Sequence, residues 1–375
     1  MKASERRILR AILDSPTAPF SEHRVQARIE ALAREMGCSV QRDRWGNTYV
    51  WYRQGRARPL ALSAHMDHPG FEVVTGGRRA RARLLGGVLA ETLRGAPVVF
   101  HAPVQQPLQR PLEAFAPGIR GRIRTVHSRP VRGARRPEIT VELDLEDAIG
   151  HDHFGHFDFA GVDMRGNHLH SKAHDNLMSC VLILATMDRL RRRHRDANLL
   201  GVFTRAEEVG FIGAGGVLRS DILRPSRPLV VLECSKAFGA VQLGGGPVLR
   251  VGDRMTCFDP WMDLWLSQAA AAVQKRKAAF HFQRALMTGG ACEASLFQLH
   301  GRQVGALAMP LLNYHNMTHD GRIGPEIVDL RDFDNALLLL EHLAQNPPTA
   351  ASRQTARRSL DDIFRKSSRR LLRSR

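Results

Sequence analysis

Four short apolar runs each deliver ionisable side chains at or just past their carboxyl ends, and this pattern constrains the chain more than any other. Leu60–Ala64 leads to His65 and Asp67, Leu199–Thr204 to Glu207 and Glu208, and Leu229–Leu232 to Glu233. Val304–Met309 leads into a loop carrying His315, and Asp175 stands just before an amphipathic stretch opening at Asn176. Apolar runs of this length read as buried strands, and helix-periodic segments lie between them. Strands alternating with helices predict an α/β fold, a three-layer sandwich around a mostly parallel central sheet. In such sheets ligands bind in the crevice beyond the carboxyl ends of the strands. Acids and imidazoles gathered at that edge and fed by apolar strands are hard to explain as solvated surface.

The other elements follow from periodicity. Ile8, Leu9, Ile12 and Leu13 form one helical face, and Val25, Ile29, Leu32 and Met36 form another. Pro16 and Pro19 separate the two, and Ser21-Glu22 starts the second. Ser39–Tyr52 predicts a hairpin around Gly46-Asn47. Helices are predicted over Asn176–Arg191, Asp263–Arg276, Ala291–Leu299 and Leu330–Gln345. Between residues 75 and 166 the chain is rich in Gly, Pro and Arg. It has β-like runs at Ala96–Phe100 and Ile139–Leu145 and no long amphipathic helix. That stretch reads as an inserted β-rich domain. The principal domain is then discontinuous, spanning 1–74 and 167–346, and a disordered basic tail follows at 347–375, with one helical turn allowed over Leu360–Phe364.

A chain of 375 residues is long enough for a large core plus an insert. No apolar run reaches 18 residues, so no membrane span is expected. The charged start, Met1-Lys2-Ala3-Ser4-Glu5-Arg6-Arg7, lacks the apolar segment of a signal peptide. The five cysteines are odd in number, widely spaced and without a Cys-x-x-Cys pair, which fits a reduced compartment, the cytoplasm. The formal charge of +18 is concentrated in Ser352–Arg375, with nine Lys/Arg against two Asp, and in the Arg-rich segment Arg110–Arg136. No nucleic-acid-binding motif accompanies it, so the expectation is no nucleic-acid partner, with the tail free to take up anions.

Imidazole and carboxylate together suit zinc, cobalt or manganese. One carboxylate bridging two such ions makes a site that polarises a carbonyl and acidifies a water. Glu207-Glu208 has the form such a site needs, one acid for the proton and one for the metal. Asp67, two residues beyond His65, is placed to hydrogen-bond the imidazole and fix its tautomer. Taken singly, each motif has an ordinary structural origin: His-x-Asp is common, paired glutamates often open helices, and His319 competes with His315. The weight lies in their order.

In that order the residues resemble the glutamyl-aminopeptidase and tetrahedral-aminopeptidase family of metallo-aminopeptidases, within the larger clan of co-catalytic di-zinc exopeptidases. Asp43-Arg44-Trp45-Gly46-Asn47 is similar to the family hairpin, and Ala64 through Phe71 to its first metal motif. Lys172 through Asn176 resembles the bridging-aspartate motif. Val202 through Gly210, continued by Gly213-Ala214, is the most specific match, and Thr288-Gly289-Gly290 and Tyr314-His315-Asn316 complete the set. The resemblance implies two divalent metal ions per subunit, zinc or else cobalt or manganese. His65, Asp175 and Glu233 would hold one, and Asp175, Glu208 and His315 the other. Glu207 would be the general base acting on a metal-bridged hydroxide, and Asp67 would orient His65. It further implies a zinc-exopeptidase-like fold, a peptide substrate trimmed from its N-terminus, and a homo-oligomer assembled through the insert at 75–166. The chain departs from the family at four places. Glu233 replaces an Asp, His68-Pro69 an acid and a hydrophobe, Leu177 an arginine, and Cys292-Glu293-Ala294 a Thr-Asp-Ala stretch. The ligand chemistry survives all four, and the departures sit where a substrate would be chosen. A carboxypeptidase or an N-acyl amino-acid deacylase could use the same site, and an inactive scaffold with an anion-binding tail is the alternative of another class.

Overall fold

The computed structural model describes residues 1–103, 115–133 and 136–373. The chain opens with helices α1 (Ala3–Leu13) and α2 (His23–Glu35), then strands β1 (Ser39–Arg42), β2 (Thr48–Gln54) and β3 (Pro59–His65). Six strands follow: β4 (Gly70–Thr75), β5 (Arg81–Leu85), β6 (Pro97–His101), β7 (Ile119–Arg129), β8 (Glu138–Leu145) and β9 (Phe154–Phe157). After β10 (Asp163–Arg165) and β11 (His168–Ser171) come α3 (Leu177–Arg192), β12 (Ala197–Thr204), α4 (Ile212–Leu218) and β13 (Leu229–Lys236). The remainder is β14 (Val248–Asp253), α5 (Pro260–Arg276), β15 (Gln283–Met287), α6 (Glu293–Leu299), β16 (Val304–Leu311), β17 (Glu326–Asp329), α7 (Leu330–Gln345) and α8 (Ala350–Arg373).

The main sheet runs β1-β2-β12-β3-β13-β16-β14-β15. Its four central strands, β12, β3, β13 and β16, are mutually parallel, and antiparallel pairings with β2 and β14 flank them. Side chains alternate between two cores, because successive residues of a strand face opposite ways. Leu60, Leu62, Val230, Leu232, Leu307 and Met309 pack with α1, α2, α3, α5 and α7. Ala61, Leu200, Val202, Leu229, Val231 and Ala306 pack on the other side with α4 and α6. Three layers result, as the strand–helix alternation predicts. The four parallel strands are buried on both faces, which is why their sequences lack the polar alternation of a one-sided sheet.

The six strands β4–β9 close into an antiparallel barrel, in the order β4-β5-β8-β7-β6-β9. Phe71, Phe100 and Phe157 fill it, with the rings of Phe71 and Phe157 edge to face at 5.4 Å. The barrel begins at Gly70, inside the stretch that sequence alone assigns to the principal domain. Gly70 accounts for this early start: a Cβ there would lie 2.6 Å from Ala18 Cβ and 2.7 Å from the Gly155 carbonyl, so the strand can turn into the barrel only against a bare backbone. A small sheet, β10-β11-β17, joins the barrel's exit to the start of α7.

One expectation changes. After Asn346 the chain continues into α8, so the frayed tail with one turn over Leu360–Phe364 is instead a helix of 24 residues. Part of the Arg-rich segment 110–136 lies outside the described residues. No helix among the described residues is long and apolar enough to cross a membrane.

Candidate metal centre

The ends of β3, β12, β13 and β16 converge with the start of α3. His65 is the last residue of β3, and Glu233 lies within β13 rather than past its end. Asp175 precedes α3 through a cis peptide to Asn176. Glu207 and Glu208 follow β12, and His315 sits in the loop after β16. All six side chains are buried or nearly so. His315 is the histidine brought into the group; His319 stays on the surface.

Asp175 stands between the two imidazoles. Its Oδ1 is 3.5 Å from His65 Nε2 and its Oδ2 is 3.5 Å from His315 Nε2. His65 Nε2 also lies 3.1 Å from Glu233 Oε1 and 3.8 Å from Glu207 Oε2, and His315 Nε2 lies 3.1 Å from Glu208 Oε1. Ligand atoms of His65, Asp175 and Glu208 come within 4.8 Å of one another, as do those of His65, Glu207 and Glu233. His315 is in neither of those triads, although it faces both Asp175 and Glu208. We assign it to the cluster on those two distances.

Asp175 Oδ1, Glu208 Oε1 and His315 Nε2 are buried with no hydrogen-bond partner. Buried polar atoms are almost always satisfied, so three orphans at one place call for a missing ion or water. The charge balance agrees. Five buried carboxylates, those of Asp67, Asp175, Glu207, Glu208 and Glu233, face two imidazoles, and buried charge needs pairing or a metal. Burial lifts the proton affinity of Glu207 well above the carboxylate range, and Glu233, Glu208 and Asp67 add to this while His65 opposes it. Burial pulls His65 downward, but the fields of Glu207 and Glu233 outweigh it and raise the imidazole well above its usual value. For Asp175, burial pushes upward, but the facing imidazoles of His315 and His65 outweigh it and hold the carboxyl well below its usual range. Divalent cations would supply the counter-charge that these groups now find in one another's protons.

Both imidazoles present Nε2 to the cluster. His65 Nδ1 lies 3.1 Å from the Asp67 carbonyl and His315 Nδ1 2.9 Å from the Gly87 carbonyl. A carbonyl accepts only, so each Nδ1 carries a proton, which leaves each Nε2 as the atom that would meet a metal ion. Gly87 belongs to the segment after β5, so the inserted region orients one side chain of the cluster. The Asp67 carboxylate is 3.5 Å from His65 Nδ1, farther than its own carbonyl. Its two oxygens accept instead from the backbone amides of Glu207 and Glu208, each at 3.0 Å.

Several supporting residues carry no motif in the sequence. Glu326 of β17 accepts through Oε2 from the amides of His174 and Asp175, at 2.6 and 2.9 Å, and through Oε1 from the amide of His315 at 2.8 Å. Asn176 Nδ2 donates to the Leu232 carbonyl at 2.8 Å and to Glu233 Oε2 at 3.3 Å. Glu22 receives the Arg205 guanidinium at 2.7 Å and the Ala206 amide at 2.9 Å, pinning the turn before Glu207. That turn is unusual: Ala206 at φ 50° and Phe211 at φ 60° are left-handed without being glycine, as are Asn313, His315 and Asn316 across the site. Such strain gathers where the surrounding structure fixes a functional geometry. Gly213 permits the turn's other closure, since a Cβ there would lie 2.4 Å from the backbone of Arg205.

The four departures read differently in three dimensions. Glu233 is within reach of His65, so the longer acid still arrives. His68 contacts the Asp175 carbonyl through Nδ1, and its Nε2 lies 2.9 Å from Asn316 Oδ1. Leu177 is buried as the first residue of α3. Glu293 is wholly buried at the start of α6, 3.3 Å from Ser63 Oγ, and burial pushes its carboxyl up to about 7.

A family model described as M42 glutamyl aminopeptidase matches residues 139–339, more than half of the chain. A relative from Acetivibrio thermocellus described as "Putative aminopeptidase" is 26% identical over 182 residues, which is 47% of this chain and 51% of the relative; the chain thus spans about half the length of that curated relative. A TET aminopeptidase structure from a marine-sediment Thaumarchaeota archaeon superposes with a TM-score of 0.73 at 17% identity, covering 94% of this chain and 99% of that one. The TET1 peptidase of Pyrococcus horikoshii, described as able to assemble into a tetrahedron or a large octahedral shell, gives 0.70 at 20% identity, covering 91% and 99%. At these identities the structures speak for the fold. With the family model spanning the segments that carry Asp175, Glu207, Glu208, Glu233 and His315, the chain belongs to the M42 glutamyl aminopeptidase family.

Proposed function

We propose that the protein is a metal-dependent aminopeptidase that removes N-terminal residues from peptides. The observation that carries this reading is the set of unpartnered buried atoms on Asp175, Glu208 and His315. His65, Asp175 and Glu233 would hold one divalent ion, and Asp175, Glu208 and His315 a second, with Asp175 shared; nitrogen and oxygen donors suit zinc, cobalt or manganese. When bound, such ions supply a Lewis acid and lower the pKa of water.

The chain's own groups do the rest. Glu207 accepts the proton of the attacking water and delivers it to the departing amine. Asp67 fixes the backbone on which Glu207 and Glu208 sit. The Gly87 carbonyl and Glu326 hold His315 in one tautomer and one place. The buried setting excludes bulk water and strengthens each of these interactions. Glu207→Gln is expected to keep its metal and lose roughly 10²-fold or more in kcat, the usual span for a general base. Substantial turnover by a metal-replete Glu207→Gln variant would rule out that role. A panel of aminoacyl amides and N-blocked amino acids, read together with metal content, tests the substrate: cleavage confined to the N-blocked set would make the protein a deacylase or carboxypeptidase.

The assembly described for the Pyrococcus peptidase supports a homo-oligomer; we propose that it forms through the barrel and works in the cytoplasm. Light scattering on the purified chain tests the assembly, and a monomer at micromolar concentration would contradict it.

A further inference from the structure

The opposite edge of the main sheet carries a second feature. Pro59 pairs with Asn198 at the amino ends of β3 and β12, whereas His65 pairs with Thr204 at their carboxyl ends. Six residues of strand separate the two edges, about 20 Å. At the amino edge an open cavity of about 630 Å³ lies between the strand starts and the 221–227 loop. Three arginines line it, Arg53, Arg224 and Arg227, together with Asn198 and Ser226. Asp221 is the one acid in the lining. None of the three guanidinium groups forms an ion pair with a carboxylate among the described residues.

Two of the three arginines are held in place. Arg227 is half-buried, and its Nη1 donates to the Leu60 carbonyl at 3.2 Å and the Asn198 carbonyl at 3.3 Å. Those bonds neutralise no charge; they only fix the head. Arg53 lies over the Trp51 ring, 5.5 Å from its centroid. Burial, then the nearby charges of Arg53 and Arg224, bring Arg227 down to about 10. Three mutually repelling guanidinium groups around an open cavity are relieved by an anion that several of them can share. Guanidinium forks match phosphate oxygens in pairs, which a lone ammonium cannot do.

We propose that this cavity binds an oligophosphate anion, either free or as the phosphate chain of a nucleotide, independently of the peptidase site. Calorimetric titration of the full chain with tripolyphosphate, ATP and adenosine tests it. Arg53→Ala/Arg224→Ala is the informative variant, since both side chains are exposed and Arg227, which braces the strands, is left intact. Each titration is compared with the same titration of the variant and of a chain lacking Ser352–Arg375. Loss of metal to a chelating ligand and binding to the basic tail are thereby separated from the cavity. The expected result is binding of tripolyphosphate that weakens on the order of 10-fold or more in the double variant and survives removal of the tail. Tighter binding of ATP than of tripolyphosphate assigns a nucleotide; equal binding assigns the phosphate chain alone. Equal affinity in the parent and the double variant, or binding that vanishes with the tail, overturns the proposal.

Discussion

Asp67 holds Glu207 and Glu208 together by accepting one backbone amide on each carboxylate oxygen, both at 3.0 Å. The turn after β12 is thereby tied to the end of β3. Asp67→Asn replaces one acceptor with an amide that also donates, so one of the two N–H groups faces another donor. Turnover is expected to fall about 10–100-fold, typical of groups that orient metal-site residues, while the circular dichroism spectrum stays that of the parent. Unchanged kcat in Asp67→Asn would remove the carboxylate from the catalytic argument.

Glu326 is the second such brace, receiving the amides of His174, Asp175 and His315. In Glu326→Gln the side chain can accept through only one atom. Metal affinity is expected to drop roughly 10–100-fold, read by competition with a chromophoric chelator. A purely structural role would lower thermal stability and leave metal affinity in the surviving folded fraction unaltered.

Removal of metal carries its own signature. With five buried carboxylates lacking counter-ions, the chelated protein should melt at a lower temperature. A ligand held at 100 times its Kd contributes about 2.7 kcal/mol to the folded state. Calorimetry with and without chelator, followed by return of zinc, cobalt or manganese, measures the effect. Asp175→Ala should lose most of it. A melting temperature indifferent to chelator, in a protein found to contain metal beforehand, contradicts the assigned cluster.

Stability should also fall in mild acid, through two histidines away from the candidate metal centre. His101 Nε2 lies 3.2 Å from His156 Nε2, and Arg24 Nη1 lies 3.4 Å from His101 Nδ1. An arginine can only donate, so His101 accepts at Nδ1 and donates from Nε2, and His156 in turn donates from Nδ1 to the Phe157 carbonyl at 2.7 Å. Both rings are neutral in this chain. Burial, then Arg24, bring His101 down to about 3, and burial, then Lys172 and His101, push His156 well below its usual value. Below the ordinary imidazole value of 6.5 the unfolded chain takes up protons that the folded chain refuses, so stability is lost as pH falls. His101 alone accounts for about 2 kcal/mol between pH 6.5 and 5. Urea midpoints across that interval should slope less steeply in His101→Gln than in the parent; parallel slopes would show that the pair does not titrate this way.

How much of this was legible beforehand depends on whether a role is local. His65, Glu207, Glu208 and Glu233 were readable because an apolar strand announces its own end, and strand ends in a parallel sheet meet at one edge. The insert was readable as β-rich, but not as a closed barrel, since closure rests on β4 meeting β9 across the whole segment. Glu326, Asn176 and Glu22 carried no signal. Each is an ordinary polar residue whose importance comes from backbone amides far away in sequence. Asp67 was singled out for the His65 ring, and its carboxylate spends itself mainly on two amides that no spacing rule connects to it. The helix α8 was obscured by its charge: Leu360, Ile363 and Phe364 are all exposed, so no core-facing stripe marks it as part of the body.

The strand order has a consequence for how the protein is made. β3 leaves the ribosome early, yet its two neighbours in the sheet, β12 and β13, come only after the barrel and α3. The barrel's strands all lie between β3 and β12 in the chain, so the barrel can close while β3 still waits, largely apolar and without a partner on either side. Contacts between such distant segments form slowly, and the waiting edge is open to other chains. Recovery from denaturant should therefore be sluggish and better at high dilution, and the nascent chain is a natural client for a chaperone that shields one exposed strand.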